Sequence, residues 1–249
     1  KTDIMAAAVT KMNDGTKLIK KSEASATVYP TFNFTHKLTL VNVKVYTPTQ
    51  KEQEAWGKIT KIELTSVAGV TAGVNNNCDV TLETGVAAVS GATTGIVTPF
   101  YAYNTTDKYT DKLISTDDDK TADADKNYGA VEIATAATAT ATATAADAQY
   151  VAYSMIAPFT AISHSSRHNL MLKVYTEKYE EGTEAKIMHL YESAVTYDGS
   201  GNVTNTDDFT GSTEGKKFDV TLKFVGKEIK AAASVTDWEP VYAGEVEII

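Results

Sequence analysis

Apolar and polar residues alternate most cleanly near the end of this sequence. Phe218, Val220, Leu222 and Phe224 fall on one face of an extended chain, and Asp219, Thr221 and Lys223 fall on the other. That is the period of a half-buried strand. Val225-Gly226-Lys227 then supplies a turn, in which Gly226 is free to take positive φ. A second strand follows, with Ile229, Ala231, Ala233 and Val235 inward and Glu228, Lys230, Ala232 and Ser234 outward. Trp238 lies just beyond, where a large ring can close the end of a sheet sandwich.

A comparable strand spans residues 32–46, but its parity changes partway. Apolar residues occupy even positions through Leu40 and odd ones at Val41, Val43 and Val45, which predicts a β-bulge that keeps both halves facing the core. Further strands are predicted over residues 58–67, 78–83, 95–101, 128–135, 149–156, 169–176 and 185–197. Turn signals separate them: the asparagines at 75–77, Asp198-Gly-Ser-Gly201, and the stretch 211–215. Many short strands with such turns predict an all-β, two-sheet sandwich with long loops rather than a parallel α/β sheet. Residues 49–57 alone suit a short helical turn. Residues 105–126, rich in Asp, Lys and Thr, read as a solvated loop. The alanine/threonine alternation of 134–148 has strand period but little packing area, so an edge strand or a mobile loop is expected there.

The expected core comprises Phe34, Leu38, Leu40, Val43, Leu64, Leu82, Leu172, Phe218, Val220, Leu222, Ile229, Val235 and Trp238. A chain of 249 residues has ample length to bury it. A net charge of −9 argues against a nucleic-acid partner, which needs a basic footprint. No apolar run is long enough to span a bilayer as a helix. No leader-like segment opens the sequence, so a matured or trimmed product is expected. Cys78, the single cysteine, excludes an internal disulfide and a multi-thiolate metal site within one chain.

The hairpin ending in Thr236-Asp237-Trp238 resembles the C-terminal signature of the fimbrillin family, the pilin-like (type V) surface proteins of Bacteroidales bacteria. Phe34, His36 and Leu38 resemble the phenylalanine-x-histidine-x-leucine strand that opens the family's C-terminal domain, and Asp3 to Ala8 resemble the short segment before it. The resemblance implies a transthyretin-like, Greek-key-like sandwich over residues 22–249, with 1–21 a remnant of an upstream domain or an edge strand. It also implies maturation by an arginine-specific protease, and Arg167 is the sole arginine here.

Candidate chemistry is sparse. Asp117, Asp118, Asp119, Asp123 and Asp125 supply hard oxygen ligands suited to Ca²⁺, without EF-hand spacing or its turn glycine; a solvated acidic loop is the simpler expectation. His164 and His168 share a face only in a helix, and Ser163, Ser165 and Pro158 nearby favour a loop. His36 alternates with Phe34 and Leu38 and is read as a hydrogen-bonded core histidine. Ser163, Ser165 and Ser166 beside His164 satisfy the composition of a hydrolase but lack a nucleophile elbow. Tyr101, Tyr103 and Tyr109 are candidates to stack on a sugar ring, with core packing the alternative. No catalytic residue, metal or cofactor is assigned.

After Pro240 the chain continues with Tyr242, Val246 and Ile248 on one face and Val241, Ala243 and Ile249 on the other. This tail either returns to its own sheet or adds to a neighbour's by β-augmentation. The resemblance implies a fimbrial subunit of stalk, tip or anchor type, assembling by strand exchange with other fimbrial subunits and with a role in adhesion to host or bacterial surface ligands. It further implies a place at the cell surface, in an extracellular fimbria or anchored to the outer membrane. A glycan-binding sandwich module of a nutrient-uptake system is the rival reading, and an exposed aromatic strip would favour it.

Overall fold

The computed structural model describes residues 5–7, 31–66, 78–81, 86–89, 97–106, 108–116, 128–158, 160–162, 170–186, 209–212, 214–238 and 241–245. In chain order its elements are β1 (Met5–Ala7), β2 (Thr31–His36), β3 (Thr39–Tyr46), α1 (Gln50–Trp56), β4 (Ile59–Ser66), β5 (Cys78–Thr81), β6 (Val86–Val89), β7 (Val97–Pro99) and β8 (Tyr101–Asn104). There follow β9 (Lys108–Leu113), β10 (Gln149–Ile156), β11 (Thr160–Ile162), β12 (Leu170–Thr176), β13 (Tyr179–Lys186), β14 (Phe209–Ser212), β15 (Lys216–Val225), β16 (Glu228–Asp237) and β17 (Val241–Glu245).

Two sheets make the sandwich. One has six strands in the order β16-β15-β3-β10-β8-β9, and the other has four in the order β13-β12-β4-β7. Between them lies a continuous core that draws Val41, Val43 and Val45 from β3, Ile62 and Leu64 from β4, Leu172 and Val174 from β12, and Phe218 to Phe224 from β15. Separate pairs β11–β14 and β5–β6 lie outside these sheets, and β1-β2-β17 form a three-stranded sheet of their own.

The β15–β16 hairpin follows its sequence pattern residue by residue. Phe218 pairs with Val235, Leu222 with Ala231 and Phe224 with Ile229, across a turn where Gly226 sits at φ 57°. A positive φ at the first of two loop residues matches the twist of the flanking strands. On its other side β15 runs parallel to β3, from Lys217 opposite Leu40 to Lys223 opposite Tyr46.

That uninterrupted register overturns the bulge expected at Leu40–Val41. Strand β3 is regular, and both its faces are covered: Val41, Val43 and Val45 enter the main core, whereas Leu38 and Leu40 enter a second cluster with Tyr153 and Met155. The parity change in the sequence therefore marks two cores, one on each side of a central strand. The extra residue sits on the neighbour instead, between Tyr150 and Ala152 of β10.

Other expectations also need correction. The stretch read as a solvated loop contains β9, whose Tyr109 and Leu113 face β8 while its charged residues lie at a sheet edge. Charges are how natural sheets protect such edges. Residues 128–135 form no strand; they make one bridge to Ile59 and one to Tyr46, and bury Val131 and Ile133 across the end of the sandwich. The alanine/threonine stretch is neither strand nor bare loop. It folds through a 3-10 turn at Ala145–Asp147, capped by Thr144, and lays Ala136 and Ala143 against Tyr46. Of the strand expected over 185–197, Ala185 and Lys186 end β13 and the rest lies outside the described residues.

The short helix is present as α1. Thr49 caps it by accepting from the Glu52 amide at 3.3 Å, and Gly57 ends it at φ 70°. Its last residue, Trp56, is fully buried, 4.4 Å from the Tyr179 ring and edge-on to Phe224 at 5.1 Å. Leu38, Leu40, Val43, Leu64, Leu172, Phe218, Val220, Leu222 and Ile229 are buried as expected. Trp238, expected in the core, is only partly buried and packs against the second cluster. The side chains of Phe34, Leu82 and Val235 lie outside the described residues.

Candidate functional site

Where β2 gives way to β3, the chain leaves the three-stranded sheet and enters the six-stranded one. His36 ends β2 and is buried, and its ring lies flat on Trp238 with centroids 3.6 Å apart and planes 1° from parallel. The backbone locks this pair from the other side. The Trp238 amide donates to the Gly215 carbonyl at 2.7 Å, and the Gly215 amide donates to the Leu38 carbonyl at 3.2 Å. Gly215 takes φ 66°, and a Cβ there would come within 3.1 Å of the His36 carbonyl. Lys37 adds an ion pair to Glu214 at 2.7 Å. His36 is thus a packed histidine, as expected, but its partner is a tryptophan from the far end of the sequence.

Strand β17 lies antiparallel to β2, with Val241 opposite Phe34, Tyr242 opposite Asn33 and Glu245 opposite Thr31. The register slips between Tyr242 and Glu245, so the pairing is discontinuous. The other edge of β2 is taken by β1, from Met5 opposite His36 to Ala7 opposite Phe34. Among the described residues, the histidine strand is therefore flanked by the earliest and the latest strand. Of the residues singled out in the tail, Val241, Tyr242 and Ala243 lie in β17; Val246, Ile248 and Ile249 lie outside the described residues.

A second constellation covers the outward face of the six-stranded sheet. Tyr101 and Tyr103 of β8 and Tyr109 of β9 come together there, joined by Tyr150 and Tyr153 of β10, which sequence reading did not single out. Strict alternation made the first two predictable as neighbours; Tyr150 and Tyr153 share their face only because of the bulge at Val151. Tyr109 stands 86° to Tyr103 and 72° to Tyr153, and the Tyr153 hydroxyl donates to the Thr110 carbonyl. Lys44 sits 4.3 Å from the centre of the Tyr150 ring, and Asn42 Nδ2 donates to Asp219 Oδ1 at 3.0 Å. Burial pushes the Tyr150 hydroxyl up to about 12, with the Asp219 charge adding to it. Burial likewise takes Tyr153 to about 12 and raises Tyr109.

A polar recess of about 580 Å³ opens beside the four-stranded sheet, lined by Thr60, Lys61, Ser115, Thr116 and Tyr175 among others. Its two carboxylates, Glu177 and Glu180, both come from the β12–β13 hairpin. Among the described residues no three His, Cys, Asp or Glu side chains cluster as metal ligands, and no helix is long and apolar enough to cross a membrane. The acidic loop at 117–125, the Ser163–His168 stretch, and His189 lie outside the described residues.

What emerges is a β-sandwich whose histidine strand runs into the six-stranded sheet and pairs with β17. No protein-family model and no curated protein matches the chain. Among solved structures it is similar to a candidate cell-adhesion protein from Bacteroides uniformis, with a TM-score of 0.42 and 14% identity, over 84% of this chain and 53% of that one. It is also similar to the tip fimbrial protein Mfa3 of Porphyromonas gingivalis (TM-score 0.33, 13% identity, 82% and 52%). A fimbrial protein from Bacteroides vulgatus is a third such neighbour (TM-score 0.32, 14% identity, 84% and 56%). The chain spans about half the length of each of these structures.

Proposed function

We propose that this chain is a structural subunit of bacterial cell-surface fimbriae, joined to its neighbours by exchange of a β-strand and serving adhesion without catalysis. The observation that carries the reading is the His36–Trp238 stack. The phenylalanine-x-histidine-x-leucine strand and the Thr-Asp-Trp ending are the stretches on which the fimbrillin resemblance rests. They lie some two hundred residues apart in sequence and meet here as one packing unit. Two unrelated coincidences of sequence would have no reason to share a contact.

The arrangement around β2 supports exchange as the means of assembly. β17 contributes to neither core sheet, and it touches its own chain through a short, slipped pairing. A neighbour's copy of the same strand would offer β2 the same main-chain hydrogen bonds, so closed monomer and swapped polymer differ mainly in which chain supplies the strand. Its partners are then other fimbrial subunits, and its place is outside the cell.

Single cysteines test this directly. In a Cys78→Ser background, one chain carries Asn33→Cys and another carries Tyr242→Cys, positions that face each other between β2 and β17. Mixing the two under assembling conditions and then oxidising is expected to give a disulfide-linked pair of unlike chains. Recovery of uncrosslinked chains alone would contradict exchange at β2.

A further inference from the structure

We infer that the outward tyrosine face of the six-stranded sheet binds a neutral polysaccharide, with a pyranose ring stacked on Tyr109. This goes beyond assembly, because the β2–β17 pairing does not use the exposed ring of Tyr109.

Tyr109 is 41% exposed, yet its orientation is fixed from two sides by near-perpendicular contacts with Tyr103 and Tyr153. Such an exposed and rigid ring loses little freedom on binding, which is what a weak contact between flat surfaces needs. A tyrosine ring presents an apolar face and a polar edge, and a pyranose does the same with its C–H face and its hydroxyls. The groups around the ring suit those hydroxyls. Asn42, nearly enclosed beneath the face, reaches the Tyr109 hydroxyl and donates its amide to Asp219, so both groups are held in place for those hydroxyls.

Charge argues for a neutral ligand. Lys44 lies against Tyr150, and Asp219 is contacted by Asn42 and lies 3.8 Å from Lys217, so cations and the carboxylate alternate across the face. An acidic or basic chain would meet like charge wherever it lay. A protein partner would favour a continuous apolar centre cleared of charge, and here an ammonium, an amide and a carboxylate interrupt the rings.

Affinity electrophoresis of the monomeric fraction tests the proposal apart from assembly. Native gels carry a mixed-linkage β-glucan, a xylan or an α-mannan. The intact chain is expected to be retarded by at least one of them. Tyr109→Ala should migrate as in a gel without polysaccharide, a loss of about tenfold or more in affinity. Tyr109→Phe, which keeps the ring, should still be retarded. Tyr128→Ala, which removes an equally exposed tyrosine elsewhere, should be retarded like the intact chain. If Tyr109→Ala melts well below the intact chain, Lys44→Ala replaces it, with a reduced retardation expected. Absence of retardation by all three polymers would overturn the proposal, as would equal retardation of the Tyr109 variants. A dimer in sedimentation that Tyr109→Ala dissociates would assign the face to a second copy of the chain and overturn it too.

Discussion

The two tryptophans of this chain do different work, and the difference is measurable. Trp56 is enclosed between Tyr179 and Phe224 at the centre of the main core. Trp238 covers the second cluster from outside and keeps its position through His36 and the Gly215 backbone. Trp56→Ala should therefore cost roughly 3–5 kcal/mol of folding stability, and Trp238→Ala roughly 2. Urea unfolding of the two variants checks the order, and a larger loss at Trp238 would contradict it. The tyrosines predict the response to alkali. Tyr150, Tyr153 and Tyr175 hold their protons up to about 12 in the folded chain, whereas an unfolded chain releases them near 10. Their contribution is whole below pH ~10 and is lost as pH rises toward ~12, because the unfolded state ionises first. The melting temperature should hold to pH ~10 and fall beyond it, and a variant with Tyr150, Tyr153 and Tyr175 all replaced by Phe should fall less over the same range; an equal fall in that variant would refute this.

Elements were legible wherever alternation was strong and each face had one environment. The β15–β16 hairpin and β12 satisfy that condition, and β10, buried on both faces, was legible as an apolar run instead; the expected limits of all of them agree with the structure to within a residue or two. β9 and β13 do not. Lys108, Asp111 and Lys112 in one, and Glu180, Glu181 and Glu184 in the other, mask edge strands that pair in hairpins with β8 and β12 just before them. The terminal strand was legible as a strand, but alternation alone does not say which edge it pairs with. The helix α1 was legible from its cap and its following glycine, although nothing local marked Trp56 as a core anchor. Replacing Thr49 by Ala should remove the cap and cost about 1 kcal/mol, read as a lowered midpoint in urea. A neutral effect would mean that packing of Trp56 alone holds the helix.

For the whole molecule, the sandwich was readable from many short strands, while its two-core organisation was not. The parity change at Leu40–Val41 carried that information, but a bulge and a doubly covered strand leave the same trace in sequence. Burial on both faces of β3 requires partners, Tyr153 and Met155 among them, that only the fold brings near. The tyrosine face was partly legible for the same reason: Tyr101, Tyr103 and Tyr109 are close in sequence, and Tyr150 and Tyr153 arrive through the pairing of β10 with β8.

Strand exchange is the claim on which the functional account stands, and removal of residues 241–249 tests it most directly. Because β17 lies in neither core sheet, the truncated monomer should melt within a few degrees of the intact monomer. It should also fail to form a ladder of higher species on an undenatured gel, which the intact chain is expected to form. A truncated chain that still forms the ladder would contradict the account, and so would one whose melting temperature falls by many degrees.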